Sequence, residues 1–219
     1  MKTFVAYPET RSKVPVVLVI HEIFGMTDWV EDLADQVAAA GYVAVAPDLL
    51  SGMAPNGGGT ADFASGEVGR AIGKLSADQK TADLNAGANY GLKLPGSSGK
   101  LFVTGYCWGE SFRFATNRPD LAAAFVFYGV PPAREDMARI KAPVYGFYAG
   151  NDARIDATIP DTETAMKELG KKYEPVTYSG AGHGFMRAGE DPGGSEATHA
   201  ANVQARQEAW VRWKKLLGQ

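Results

Sequence analysis

One cysteine of the chain lies where a thiol could serve as a nucleophile. Cys107 is the sole cysteine, and it lies within Gly105–Gly109, directly after an apolar run that begins at Leu101. A short apolar run that ends in Gly-x-Cys-x-Gly before a helical pattern is typical of a nucleophile elbow, because the glycines leave room for a tight turn. The N-terminus of the following helix would lower the pKa of the thiol. The alternative is a buried structural cysteine in the same turn.

An acid and a base follow two later apolar runs. Asp152 comes after Val144–Ala149, and His183 comes after Val176–Tyr178. Functional groups of an open α/β sheet gather at the carboxyl ends of its strands, so both side chains are predicted to lie near Cys107. The order nucleophile, acid, base is that of an α/β-hydrolase triad, in which the histidine takes the nucleophile's proton and the acid orients the ring. Taken singly, Asp152 could cap a turn and His183 could be a loop histidine.

Other residues that could do chemistry are weaker candidates. His199 is predicted to be solvated on the C-terminal helix, and His21 lacks the second histidine four residues on that a zinc protease needs. The glycines Gly57–Gly59 lack a preceding strand and a following Gly-Lys-Ser/Thr, which disfavours a phosphate-binding loop. No metal or organic cofactor is expected.

Buried strands alternate with helices along most of the chain, which would position these side chains. Strands are predicted at residues 2–7, Val14–Ile20, Tyr42–Ala46, from Leu101 to the elbow, Ala122–Tyr128, Pro143–Ala149 and Tyr173–Tyr178. Helices are predicted from Thr27 or Asp28 to Ala40, and at Asp78–Leu94, Ser111–Asn117, Asp161–Gly170 and Thr198–Leu217. This alternation predicts a three-layer sandwich with a mostly parallel central sheet and helices on both faces. Together with the order of the triad candidates, it is the architecture of an α/β-hydrolase fold. A single domain over residues 1–219 is expected.

Composition excludes several classes of partner. The 219 residues are 45% hydrophobic and 21% charged, which is ordinary for a globular protein. Lys and Arg number 22 against 25 Asp and Glu, a net charge of −3, so there is no basic surface to predict nucleic-acid binding. The sequence has no apolar run long enough for a membrane span, and the apolar part of its first residues is too short to predict a signal peptide. A cytoplasmic monomer or weak homo-oligomer acting on a small molecule is expected.

Five motifs together resemble the dienelactone hydrolase family, whose members are α/β-hydrolases with a cysteine nucleophile. They are His21–Gly25 (His-Glu-Ile-Phe-Gly), Pro47–Leu49 (Pro-Asp-Leu), Gly105–Gly109 (Gly-Tyr-Cys-Trp-Gly), Gly150–Asp152 and Ala181–Phe185 (Ala-Gly-His-Gly-Phe). The resemblance covers nearly the whole chain. Glu-Ile-Phe-Gly together with Gly-Tyr-Cys is much more specific than Gly-x-Cys-x-Gly alone.

The resemblance implies roles for further residues. Glu22 matches a glutamate that sits against the nucleophile and accepts the thiol proton once substrate displaces it. The backbone N–H groups of Ile23 and Trp108 would form the oxyanion hole. Arg187, four residues after His183, matches an arginine that binds a substrate carboxylate, although an exposed surface charge is the alternative.

Two positions depart from the family pattern. Glu110 replaces a glycine that the family usually has behind the nucleophile, and its charge is expected to oppose thiolate formation. The family's second carboxylate-binding arginine has no clear counterpart, and Arg70 is the nearest candidate. Both departures bear on the dienelactone substrate more than on hydrolase chemistry.

The expected function is therefore hydrolysis of a small lactone or carboxylic ester that bears a carboxylate. This is the type of reaction that carboxymethylenebutenolidases catalyse. Cys107 would form a thioester acyl-enzyme, and His183 with Asp152 would assist. One alternative is a broad-specificity carboxylesterase with the same triad. Another is a non-catalytic binding protein on a hydrolase fold, because fold does not determine function.

Overall fold

A seven-stranded sheet forms the centre of the protein in the computed structural model, which describes residues 1–191 and 196–218. The strands are β1 (Thr3–Ala6), β2 (Val14–Ile20), β3 (Val43–Pro47), β4 (Ser97–Tyr106), β5 (Leu121–Phe127), β6 (Val144–Ala149) and β7 (Tyr173–Tyr178). Their order across the sheet is β1-β3-β2-β4-β5-β6-β7. β1 pairs antiparallel with β3, and every other neighbouring pair is parallel.

Helices cover both faces of this sheet. They are α1 (Asp28–Ala39), α2 (Val68–Ile72), α3 (Ala77–Lys93), α4 (Glu110–Asn117), α5 (Arg134–Met137), α6 (Ala153–Asp156), α7 (Ile159–Glu168), α8 (Phe185–Ala188) and α9 (Glu196–Leu217). Among the described helices, none is long and apolar enough to cross a membrane.

Each face of the sheet has its own apolar core. On one face, Val30 of α1 and Trp213 of α9 pack with strand residues such as Phe125. On the other face, Leu84 of α3 and Phe112 of α4 pack with alternate strand residues. Successive strand residues point to opposite faces, so the near-continuous apolar runs of the sequence supply both cores. The predicted three-layer α/β architecture is confirmed.

Most predicted elements are present, with differences where local pattern is weak. β4 begins at Ser97 rather than at the predicted Leu101, because Ser97 pairs with Val14 of β2. The short helices α2, α5, α6 and α8 were not predicted, since four or five residues are too few to show a helical period. His199 is half-buried rather than solvated, and its Nδ1 has no hydrogen-bond partner among the described residues.

Asp48 organises the weakly patterned segment that follows β3. Its carboxylate accepts hydrogen bonds from the Leu50 N–H and from both the N–H and the hydroxyl of Thr60, at 2.7–3.0 Å. The Thr60 hydroxyl in turn accepts from the N–H of Met26, in the loop between β2 and α1. This network connects the segment to the loop that carries Glu22.

Candidate active site

Five neighbouring strands bring their carboxyl ends to one edge of the sheet. β2, β4, β5, β6 and β7 lie side by side, and all of their pairings are parallel. The residues just beyond these ends include Glu22, Cys107, Tyr128, Asp152 and His183. The topology therefore gathers side chains that are up to 161 positions apart in the sequence.

Cys107, His183 and Asp152 form a continuous hydrogen-bonded row. His183 Nε2 lies 3.3 Å from the Cys107 sulfur, and His183 Nδ1 lies 2.5 Å from Oδ2 of Asp152. Because a carboxylate only accepts, the Nδ1–H donates to Asp152, which leaves Nε2 to accept the thiol proton. The structure thus brings the three predicted triad residues together in the geometry that proton transfer needs.

The turn that carries Cys107 has the backbone of an elbow. Cys107 has φ 77°, in the left-handed region, and its N–H donates to the Phe127 carbonyl at 3.1 Å. A Cβ on Gly105 would lie 2.8 Å from Cβ of Ser111 in α4, and one on Gly109 would lie 2.2 Å from the Val130 carbonyl oxygen. Both glycines are therefore required by close packing, as the sequence predicted.

The loop that carries His183 is held from outside the sheet by α9 and α1. The Gly182 N–H donates to Oδ1 of Asn202 in α9. Glu190, which follows α8, accepts from the Trp29 indole at 2.6 Å and forms an ion pair with Arg206 of α9. These contacts fix the position of the imidazole relative to the elbow.

The pKa of the Cys107 thiol is raised, which corrects the expectation from the helix N-terminus. Burial is the main cause, and the negative charge of Glu22 is the second. A hydrogen bond from the Ile23 N–H and the charges of Arg154 and Arg187 act in the opposite direction but do not prevail. The resting thiol is therefore held mainly in its protonated form at neutral pH.

Glu22 lies at the centre of a second polar group, next to the triad. Its side chain is buried, and its Oε2 accepts from Nε of Arg187 at 2.9 Å. Its Oε1 accepts from the Tyr128 hydroxyl at 3.3 Å, and the Tyr128 ring meets the His183 ring edge-on with centroids 5.1 Å apart. Burial and the charge of Glu22 raise the pKa of Tyr128, so this phenol stays neutral and acts as a donor.

The two predicted oxyanion-hole donors differ in what lies next to their backbone N–H groups. The Ile23 backbone acts on the Cys107 thiol and lowers its pKa. The Trp108 N–H donates to the Tyr106 carbonyl at 3.1 Å, so an oxyanion would share that N–H with the carbonyl. The Trp108 indole donates to the His21 carbonyl at 2.7 Å, which joins the elbow to the loop after β2.

Comparison with known proteins assigns the family. A sequence model described as the dienelactone hydrolase family matches residues 1–219. The chain belongs to the dienelactone hydrolase family. A protein of Salmonella typhi named "Putative carboxymethylenebutenolidase" is 32% identical over 214 residues, which cover 90% of this chain and 77% of that protein.

Solved structures agree with this family assignment. A "Putative Dienelactone Hydrolase" from Klebsiella pneumoniae superposes with a TM-score of 0.83 at 26% identity, covering 99% of this chain and 92% of that one. The dienelactone hydrolase of Anabaena variabilis, 19% identical, shares the fold with a TM-score of 0.63 and coverage of 92% and 87%. As a dienelactone hydrolase family member, the chain is a hydrolase of lactones or esters.

Neither Glu110 nor Arg70, the residues at the two departures from the family pattern, has the role that the sequence suggested. Glu110 is buried, and its Oε1 lies 2.6 Å from Nζ of Lys80, so its charge is compensated locally. The carboxylate that acts on the Cys107 thiol is Glu22. Arg70 is exposed and pairs with Glu67, and no contact among the described residues connects it to the triad.

A cleft opens beside Arg187. Its volume is about 690 Å³. It is lined by Trp29, Asp32, Gln36, Arg187, Glu190 and Asp191. The Arg187 side chain, which is 42% exposed, thus faces both a buried partner and open space. Its guanidinium also lies 5.1 Å from the centre of the exposed Phe24 ring.

Three residues near the site were missed in the sequence. Tyr128 directly follows β5, the strand between those that carry Cys107 and Asp152, so its place at a strand end was a usable signal. Arg154 lies two residues after Asp152, on a helix too short to predict. Lys80 carries no local signal, since it reaches the elbow from α3 only through packing.

Proposed function

We propose that this family member hydrolyses a small lactone or carboxylic ester through Cys107, His183 and Asp152. The observation that carries the proposal is the hydrogen-bonded row from Cys107 through His183 to Asp152, with distances of 3.3 and 2.5 Å. Each residue stands at the end of a different strand, which supports a functional rather than a structural origin for the row.

The reaction follows from this geometry. His183 Nε2 takes the thiol proton as the Cys107 sulfur bonds to the substrate carbonyl carbon. The oxyanion lies against the Ile23 and Trp108 N–H groups, and the carbon–oxygen bond to the leaving alkoxide then breaks as His183 returns the proton to it. Water, deprotonated by His183, attacks the resulting thioester, and the carbon–sulfur bond breaks to regenerate the thiol.

Glu22 and Arg187 couple this chemistry to the substrate. In the resting site, Arg187 is paired with Glu22, whose charge keeps the thiol protonated. A substrate carboxylate at the exposed part of Arg187 would take the guanidinium through two parallel hydrogen bonds. Glu22, released from Arg187, then offers a second acceptor for the thiol proton beside His183. The thiolate thus forms when substrate is present, and Arg187 and Glu22 together favour a substrate that bears a carboxylate.

A second candidate is a carboxylesterase that needs no substrate carboxylate. Arg187 already has a buried anionic partner in Glu22, so its charge is compensated without a ligand. Arg70, the predicted second carboxylate ligand, is paired on α2 with Glu67. These two observations favour neutral esters as substrates of the same triad.

Hydrolysis of p-nitrophenyl acetate with and without thiol alkylation tests the shared chemistry. Cys107 is the sole thiol, so iodoacetamide modifies one group that can act as the nucleophile. We expect alkylation and the Cys107→Ala substitution each to abolish turnover while the circular dichroism spectrum stays unchanged. Full activity of Cys107→Ala would exclude this mechanism. Parallel assays with carboxylated lactones and neutral esters of similar size decide between the two substrate classes.

A further inference from the structure

A row of four side chains lies behind the elbow, against the sheet face opposite to the one that Cys107 packs on. Glu110 pairs with Lys80, and the Lys80 ammonium lies 5.1 Å from the centre of the Trp108 ring. The Trp108 ring stacks with the His21 ring at 5.7 Å and 18°. The four residues come from α4, α3, the elbow and the loop after β2.

The Trp108 indole connects two loops that would form the oxyanion hole. Its Nε1–H donates to the His21 carbonyl at 2.7 Å, and Ile23 lies two residues further along that loop. The distance between the Ile23 and Trp108 N–H groups therefore depends on where this indole is held. Oxyanion stabilisation requires donors at a defined distance from the developing charge, so a shift of this ring would weaken catalysis.

His21 holds its side of this contact rigidly. Its ring is fully buried, its Nδ1 lies 2.7 Å from the Glu22 carbonyl, and its Nε2 accepts from the Leu49 N–H at 3.3 Å. Burial lowers the pKa of His21, so the ring is neutral with the proton on Nδ1. The remaining freedom of the indole is on its Lys80 side.

Lys80 and Glu110 restrict that side as a pair. A cation over an indole face attracts the ring, but the Lys80 side chain is only 13% exposed and needs a counter-charge at that depth. Glu110 supplies it at 2.6 Å and is buried itself, with Arg113 Nε 3.6 Å from its second oxygen. Glu110, where the family usually has glycine, is thus one half of a support for Trp108.

We infer that Lys80 and Glu110 are positioning residues that hold the Trp108 indole and so set the spacing of the two oxyanion donors. The inference rests on the proposed function, because it concerns the transition state of ester hydrolysis. Neither residue touches the reacting atoms. Their effect passes through Trp108, and it falls on acyl transfer rather than on thiol ionisation.

The test replaces both charges at once, with Lys80→Met and Glu110→Gln in one protein. The double substitution avoids leaving a single buried charge, which would itself destabilise the fold. We expect kcat for p-nitrophenyl acetate to fall about tenfold with KM nearly unchanged, since the lost effect belongs to the transition state. The rate of alkylation by iodoacetamide should stay unchanged, because that displacement at carbon forms no oxyanion. Lys80→Arg, which keeps the cation and the pairing, should retain most of the activity.

A matched control exists at the other end of α4. Arg118 is 11% exposed in its side chain, pairs with Asp120 at 2.6 Å and also contacts Asn85 and Asn89 of α3. The double variant Arg118→Met with Asp120→Asn removes an equally enclosed cation between the same helices. It should leave kcat, KM and alkylation unchanged.

Each outcome decides the inference. The inference is supported if kcat falls and the alkylation rate stays unchanged in the Lys80/Glu110 variant, while kcat does not fall in the Arg118/Asp120 control. An unchanged kcat, a parallel fall in kcat and alkylation, or an equal loss in the control overturns it. If the wild-type protein shows no thiol-dependent esterase activity, the proposed function itself is refuted. An active wild type with an equally active Lys80/Glu110 variant refutes only the inference.

Discussion

Two buried glutamates flank the nucleophile elbow, and they differ in the cation that each one faces. Glu22 and Glu110 are both 3% exposed. Glu22 pairs with Arg187, whose side chain is 42% exposed at the mouth of the site. Glu110 pairs with Lys80, whose side chain is 13% exposed between α3 and α4. Only the first glutamate raises the pKa of Cys107 among the causes that act on this thiol.

Under the proposed function, exposure of the partner, not burial of the carboxylate, separates a responsive ion pair from a fixed one. A substrate anion can compete for Arg187 because the Arg187 side chain is 42% exposed. Lys80 cannot be reached in that way, so its pair with Glu110 behaves as part of the scaffold. Four predictions test this contrast, beginning with the triad that lies on the Glu22 side of the elbow.

The largest effect is expected from the row that Glu22 adjoins. Asp152→Asn and His183→Ala should each lower the acylation rate about a thousandfold or more, because proton removal from the thiol is lost. The double variant should be little worse than the worse single variant, since the residues act as one unit. Single-turnover release of p-nitrophenol measures this. Strictly additive losses would contradict a triad.

Arg187→Ala should have the next largest effect, and it should depend on the substrate. Loss of a charge-assisted contact should lower kcat/KM for carboxylated lactones about tenfold to a hundredfold relative to neutral esters. Arg154→Ala is the matched control, because Arg154 also lowers the pKa of Cys107 by its charge but has no described contact with Glu22. It should slow both substrate types alike. An unchanged ratio in Arg187→Ala would favour the general carboxylesterase.

Glu22→Gln should change alkylation and hydrolysis in opposite directions. The charge of Glu22 raises the pKa of Cys107, so its removal lowers that pKa and increases the thiolate fraction at any pH below it. Alkylation near neutral pH should become several-fold faster, with its pH profile shifted downward. Hydrolysis should slow, because the second acceptor for the thiol proton is lost. The control is Tyr128→Phe, which removes a hydrogen bond to Glu22 but no charge and should shift the pH profile little. Slower alkylation of Glu22→Gln would refute the view that the charge of Glu22 raises the pKa of Cys107.

Glu110→Gln should have the smallest effect on the thiol. Its charge is compensated by Lys80, so the pH profile of alkylation should match that of the wild type. The midpoint of urea unfolding should fall, because the Lys80 ammonium then lacks its partner. A downward shift of the profile as large as that of Glu22→Gln would show that the two glutamates are not distinguished by their cations.

The sequence by itself determined the fold class and the positions of the central functional groups. The strands that precede Cys107, Asp152 and His183 are local signals, because the end of each strand and the polar residue shortly after it are close in the chain. Gly109 is a similar local signal, since the turn gives it a φ of 79°, in the region that favours glycine. Such features depend on backbone geometry and periodicity alone.

Tertiary structure decided the pairing and the ionisation of these groups. The Glu22–Arg187 contact spans 165 positions, and Lys80 reaches Glu110 from a separate helix. The raised pKa of Cys107 comes from burial and from Glu22, which together outweigh the lowering effects of the Ile23 backbone, Arg154 and Arg187. Charge interactions depend on distance and on exclusion of water, and both are set only when the strands assemble and the helices pack.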